Sequence, residues 1–150
     1  MSYSNGTELV NNTHTAADYF VKFLEGFFTN RKELAKTKFY IFGESYAGHY
    51  IPAIAAAFLR SDALKLANFV GIAIGDGWTL PFDQVAYYGS YLYAAGIVDD
   101  YRRDLFRTEV SKSQSAILAK DYVTATYLFD DVSGGDDYDR VTGGMSPYNI

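Results

Sequence analysis

At 150 residues and 49% apolar content the chain can bury one ordinary core, and one domain is the default count. Its net charge of -5, with 13 basic residues that form no run, argues against a nucleic-acid partner. The absence of cysteine excludes a disulfide framework, a thiolate metal site and a cysteine nucleophile.

The opening Met1-Ser2-Tyr3-Ser4-Asn5 has no basic and apolar leader pattern, and nowhere do about 18 uninterrupted apolar residues occur. No export signal and no membrane span are therefore read in the chain. Two sequons, Asn5-Gly6-Thr7 and Asn11-Asn12-Thr13, lie in this polar stretch and make Asn5 and Asn11 glycosylation candidates.

Thr15-Ala16-Ala17-Asp18 reads as a helix start, with Thr15 as cap. Ala17, Phe20, Val21, Leu24, Phe27 and Phe28 follow at helical spacing, and Phe23 widens that face. Asn30-Arg31-Lys32 closes the helix. Lys38 to Gly43 is a short apolar, β-prone run ending at glycine, as a buried strand does.

A second helix is expected from about Ala47 to Arg60, apolar nearly all round, with Pro52 tolerable only near its first turn. Phe69 to Gly75 is another continuous apolar run. Strand, helix and strand in this order predict a right-handed βαβ unit with two parallel strands.

Past Pro81 the pattern turns helical, over Tyr87 to Ala95 and Tyr101 to Tyr127, and no third strand is expected. Asp130 to Gly144, rich in Asp and Gly, reads as an exposed loop. The organisation expected is thus an α/β part over residues 1–80 and a helical part over 81–150.

Between the first strand and the second helix lies Gly43-Glu44-Ser45-Tyr46-Ala47-Gly48, close to the Gly-x-Ser-x-Gly nucleophile elbow and in the strand-turn-helix context which that motif needs. Small residues at 43, 47 and 48 let the chain turn sharply and leave the Ser45 hydroxyl exposed. Ala47 stands where the general pattern has its second glycine. A helix start offers backbone N–H groups without acceptors, and the Tyr46 amide is placed to meet an oxyanion. For the bare pattern the plainer alternative is a tight turn without chemistry, and for Glu44 an exposed carboxylate that favours the helix start.

The run from Phe39 to Pro52, Phe-Tyr-Ile-Phe-Gly-Glu-Ser-Tyr-Ala-Gly-His-Tyr-Ile-Pro, resembles the serine carboxypeptidase signature of the α/β-hydrolase fold. The resemblance continues through Ile74 to Pro81 and from Gln84 to Tyr88. Asp76 replaces the usual Asn, as in the vitellogenic-like branch. Ser2-Tyr3-Ser4 and Ser146 to Ile150 also resemble family segments, and the likeness is weakest from about 110 to 143.

This resemblance implies a partial α/β-hydrolase core over residues 1–80 and the start of a helical cap over 81–150. It implies Ser45 as acylated nucleophile, the Tyr46 N–H as one oxyanion donor and Glu44 as binder of a peptide's terminal carboxylate. The substrate implied is a peptide or protein C-terminus. Neither cofactor nor metal is implied, and the route is secretory, toward a lysosome, a vacuole or the exterior.

Serine chemistry of this kind needs an Asp and a His after the nucleophile. The only histidines are His14 and His49, the first read as preceding the first helix and the second as one turn into the nucleophile helix. Neither matches the triad base of the family. The chain is therefore expected to be an inactive internal segment that needs the missing parts of the same fold. A non-catalytic peptide-binding or interaction module is the alternative from a different class, and an acyltransferase is the alternative within the fold.

Overall fold

A computed structural model of the chain describes residue 6 and residues 9–148. Asn5 and Thr7 of the first sequon, Ser2-Tyr3-Ser4 and the last two residues of the Ser146 to Ile150 match lie outside the described residues. The chain divides into two compact units, one running to Thr79 and the other from Leu80.

In the first unit, α1 spans Thr13–Asn30, β1 Lys38–Glu44, α2 Ala47–Leu59 and β2 Asn68–Gly75, with short 3-10 turns at Lys32–Leu34 and Asp62–Leu66. The cap of α1 is Asn12, not Thr15: the Asn12 carboxamide oxygen accepts from the Thr15 amide at 2.8 Å. The helix thus starts earlier than the sequence suggested, because Asn in extended backbone is the stronger cap. Asn12→Ala is expected to lower stability by about 1 kcal/mol in a denaturant titration.

Ala17, Val21, Leu24 and Phe28 form the buried stripe of α1, whereas Phe23 and Phe27 of the expected apolar face remain exposed. Val21, Leu24 and Phe28 meet Phe58 and Ala63, and Ala17 meets Ile41, Ile51 and Ile54, so α1 and α2 share one core against the sheet. Phe58 is completely buried and sits edge-on to Phe39 and Phe69.

β1 and β2 pair in parallel from Lys38↔Asn68 to Glu44↔Gly75, with a register shift between Phe39 and Tyr40. Only one side of β1 is covered. Phe39 and Ile41 turn inward, while Tyr40 and Phe42 are exposed, Phe42 by 71%. The run read as a buried strand is therefore half-buried, since a continuous apolar sequence does not reveal which face has a neighbour.

Pro52 lies in the second turn of α2, beyond the position the sequence reading allowed it. Its missing N–H leaves the Gly48 carbonyl without the usual intrahelical donor.

The second unit is helical among the described residues: α3 Pro81–Ala86, α4 Tyr88–Ala94, α5 Asp100–Leu118, α6 Tyr122–Gly134 and α7 Asp136–Thr142. The stretch read as helical from Tyr101 to Tyr127 is helical in two pieces, broken after Leu118. Lys120 takes a left-handed φ of 61°, and Asp121 caps α6 by accepting from the Thr124 amide at 3.2 Å. Those Thr124 contacts hold the Asp121 carboxyl below its ordinary range. This cap's contribution is therefore present above the unfolded carboxylate pKa and is lost as pH falls through the lower folded value.

The segment read as an exposed loop is mostly helix. Tyr138 and Val141 of α7 are buried, Asp136 and Asp137 favour its N-terminus, and Gly143 ends it with φ 77°. Asp and Gly are loop-formers on average, but here they occupy the two helix ends where their properties suit a helix.

Candidate active site

The bend between β1 and α2 consists of Ser45 and Tyr46. Ser45 has φ 57°, in the left-handed region that a residue with a side chain seldom enters. Such a conformation costs of order 1–3 kcal/mol and persists only where its surroundings fix it.

Three backbone hydrogen bonds do so. The Ser45 N–H donates to the Gly75 carbonyl at 3.0 Å, continuing the ladder one residue past the strand. The Ser45 carbonyl accepts from the Gly48 N–H at 3.0 Å and from the Trp78 N–H at 2.9 Å. The residue is therefore tied to β2, to its own helix and to the turn after β2, while its side chain is exposed.

Between β1 and the first turn of α2, bare backbone is needed at two places. A Cβ on Gly43 would lie 2.6 Å from the Ala47 Cβ and 2.8 Å from Ile51 Cδ1. Ala47 is tolerated because glycine faces it. A Cβ on Gly48 would lie 2.6 Å from both the N and the O of Trp78. Gly48 thus admits the segment following β2, a demand the spacing of the motif did not reveal.

Glu44 is the last residue of β1 and is exposed, pairing with Gly75. Tyr46 is the N-cap residue just ahead of α2, at the end where the first amides lack an intrahelical acceptor. Its ring is half exposed, stacks on His49 at 4.9 Å and lies 5.0 Å from Tyr50. Asp76 directly follows β2 with φ 44°, so both strands end in a left-handed residue at the same sheet edge. The sequence signal for the second turn was Gly75-Asp76-Gly77, since Asp enters this region more readily than most residues.

His14 lies in the first turn of α1, exposed, and not ahead of that helix as the sequence reading had it. His49 lies in α2, partly buried, and its Nδ1 is enclosed without a hydrogen-bond partner among the described residues. No side chain among the described residues hydrogen-bonds to Ser45 Oγ. Among them no group of three or more His, Asp or Glu gathers to hold a metal, and no helix is long and apolar enough to cross a membrane.

The profile of the serine carboxypeptidase family matches residues 1–150. The chain belongs to that family. It is 36% identical over 144 residues to the vitellogenic carboxypeptidase of Aedes aegypti, covering 93% of this chain and 30% of that protein. It is 36% identical over 129 residues to the venom serine carboxypeptidase of Apis mellifera, covering 84% of this chain and 27% of that one. A pheromone-processing carboxypeptidase of Tuber melanosporum is 39% identical over 100 residues, covering 65% of this chain and 16% of that protein. The chain thus spans less than a third of the length of these serine carboxypeptidase relatives.

Proposed function

We propose that the chain is the nucleophile-bearing segment of a serine-type carboxypeptidase. The observation that supports this best is Ser45 itself: a left-handed residue on an exposed strand-to-helix turn, inside a segment matched by the family. In this reading the first unit is part of an α/β-hydrolase core and the second begins its helical cap. The protein follows the secretory route to a lysosome, a vacuole or the exterior.

Ser45 Oγ attacks the last peptide carbonyl, and its proton passes through a base to the departing amine. The C–N bond breaks, leaving an acyl ester on Ser45 and a free C-terminal amino acid. Water then cleaves the ester and restores the hydroxyl. The Tyr46 N–H stabilises the oxyanion at both stages. In this reading the base and its orienting carboxylate are supplied by parts of the fold beyond these 150 residues, and neither His14 nor His49 hydrogen-bonds to Ser45 Oγ among the described residues. The chain alone is accordingly expected to release no amino acid from peptides.

Peptide mapping after reaction with a serine-directed phosphonate tests this reading. In a preparation that releases C-terminal amino acids, the label is expected on Ser45. Release with Ser45 unlabelled, or with the label on another serine, refutes the assignment.

Glu44 is proposed to hold the peptide's terminal carboxylate, which requires the two acids to share one proton. Wild-type binding should therefore weaken as pH rises and both groups become anions. In Glu44→Gln the neutral amide donates without needing that proton. KM is expected to rise about tenfold at acidic pH and to lose its dependence on pH. An unchanged acid preference removes Glu44 from this role.

A non-catalytic peptide-binding module is favoured by one observation, the lack of a base beside Ser45 among the described residues. It predicts peptide binding that no phosphonate blocks.

A further inference from the structure

We propose that Asn11 carries an N-linked glycan whose first sugar lies against Tyr46 and Tyr50, beside the nucleophile turn. This rests on the secretory route proposed above. Asn11 is exposed, sits just ahead of the α1 cap and begins the triplet Asn11-Asn12-Thr13. Its carboxamide oxygen accepts from Asn12 Nδ2 at 2.9 Å, while its own Nδ2, the atom a sugar would occupy, has no partner among the described residues. Asn12 is differently used, since its oxygen caps the helix. A sugar on Asn11 Nδ2 thus leaves both hydrogen bonds in place.

The surroundings supply a seat. Asn11 lines a cavity of about 230 Å³ together with Val10, Ala16, Tyr46 and Tyr50. Sites for free small molecules run from roughly 300 to 1,000 Å³, so this one suits a single tethered ring better than an independent ligand. Tyr46 and Tyr50 are exposed by 51% and 43% and offer ring surface to the apolar face of a sugar. In forming the link, Asn11 Nδ2 bonds to the anomeric carbon of a lipid-pyrophosphate-linked oligosaccharide. The sugar–phosphate bond breaks, the lipid pyrophosphate leaves and the amide gives up one proton.

The full chain, placed behind a secretory leader and ahead of a carboxyl-terminal control sequon, is produced in insect cells. Release by peptide N-glycosidase in heavy-oxygen water then marks each occupied Asn as labelled Asp. The expected result is a mark at Asn11 that Asn11→Gln removes. A marked control sequon beside an unmarked Asn11 overturns the site. Because the leader imposes the route, that outcome leaves the protein's native destination, judged by locating the native protein in its own cells, a separate matter.

Position is read by tetranitromethane. Nitration of Tyr46 and Tyr50 is expected to rise severalfold on deglycosylation relative to Tyr101, which is exposed in the second unit. Equal nitration in both forms overturns the placement of the sugar even where Asn11 is occupied.

Discussion

Ser45→Ala is expected to abolish both phosphonate capture and amino-acid release in an active preparation, with little change in stability. The hydroxyl is exposed and makes no side-chain hydrogen bond among the described residues, so its removal opens no cavity and strands no partner. Surface changes of that kind usually fall within about 0.5 kcal/mol. Alanine inherits the same left-handed backbone as serine. Ser45→Gly relieves it and is expected to be more stable than Ser45→Ala by about 1 kcal/mol, though equally inactive. Paired activity and unfolding measurements separate the roles: if Ser45→Ala retained capture, the nucleophile would lie elsewhere. If Ser45→Gly were the less stable of the two, the strained turn would be in doubt.

Gly48→Ala should act through the fold. Propensity alone predicts that alanine inside a helix stabilises by about 1 kcal/mol. At Gly48 the added methyl would meet the Trp78 backbone at 2.6 Å, and backbone held by the 2.9 Å bond to the Ser45 carbonyl cannot swing aside as a side chain can. Pushing Trp78 away releases one of the three bonds that hold Ser45. A loss of about 1–3 kcal/mol in denaturant unfolding is expected, together with loss of phosphonate capture. Gly26→Ala is the control, since Gly26 lies inside α1 with nothing within 4 Å of the added carbon. There the propensity gain should appear. A stabilising Gly48→Ala would mean that the close approach of α2 to the turn after β2 is absent.

Both substitutions bear on the same device, a strained serine fixed by strands and helix together. Its strain is local, and the bonds opposing it come from residues as distant in sequence as Gly75 and Trp78. Damage at any of those contacts is expected to reach the hydroxyl without touching it.

By itself the sequence determined what depends on local pattern: helix, strand, elbow, helix and strand in order, and small residues around Ser45. These follow from side-chain periodicity and from the space a sharp turn allows. Only the tertiary structure decided which faces are covered. Tyr40 and Phe42 belong to an apolar run yet remain exposed, since burial requires a neighbour and not only a hydrophobic side chain. Likewise the need for glycine at 48 arises from Trp78, thirty residues away in sequence, which no spacing within the motif encodes. The last helix escaped the sequence reading because Asp and Gly average as loop residues, whereas the ends of a helix use them for charge and for left-handed backbone.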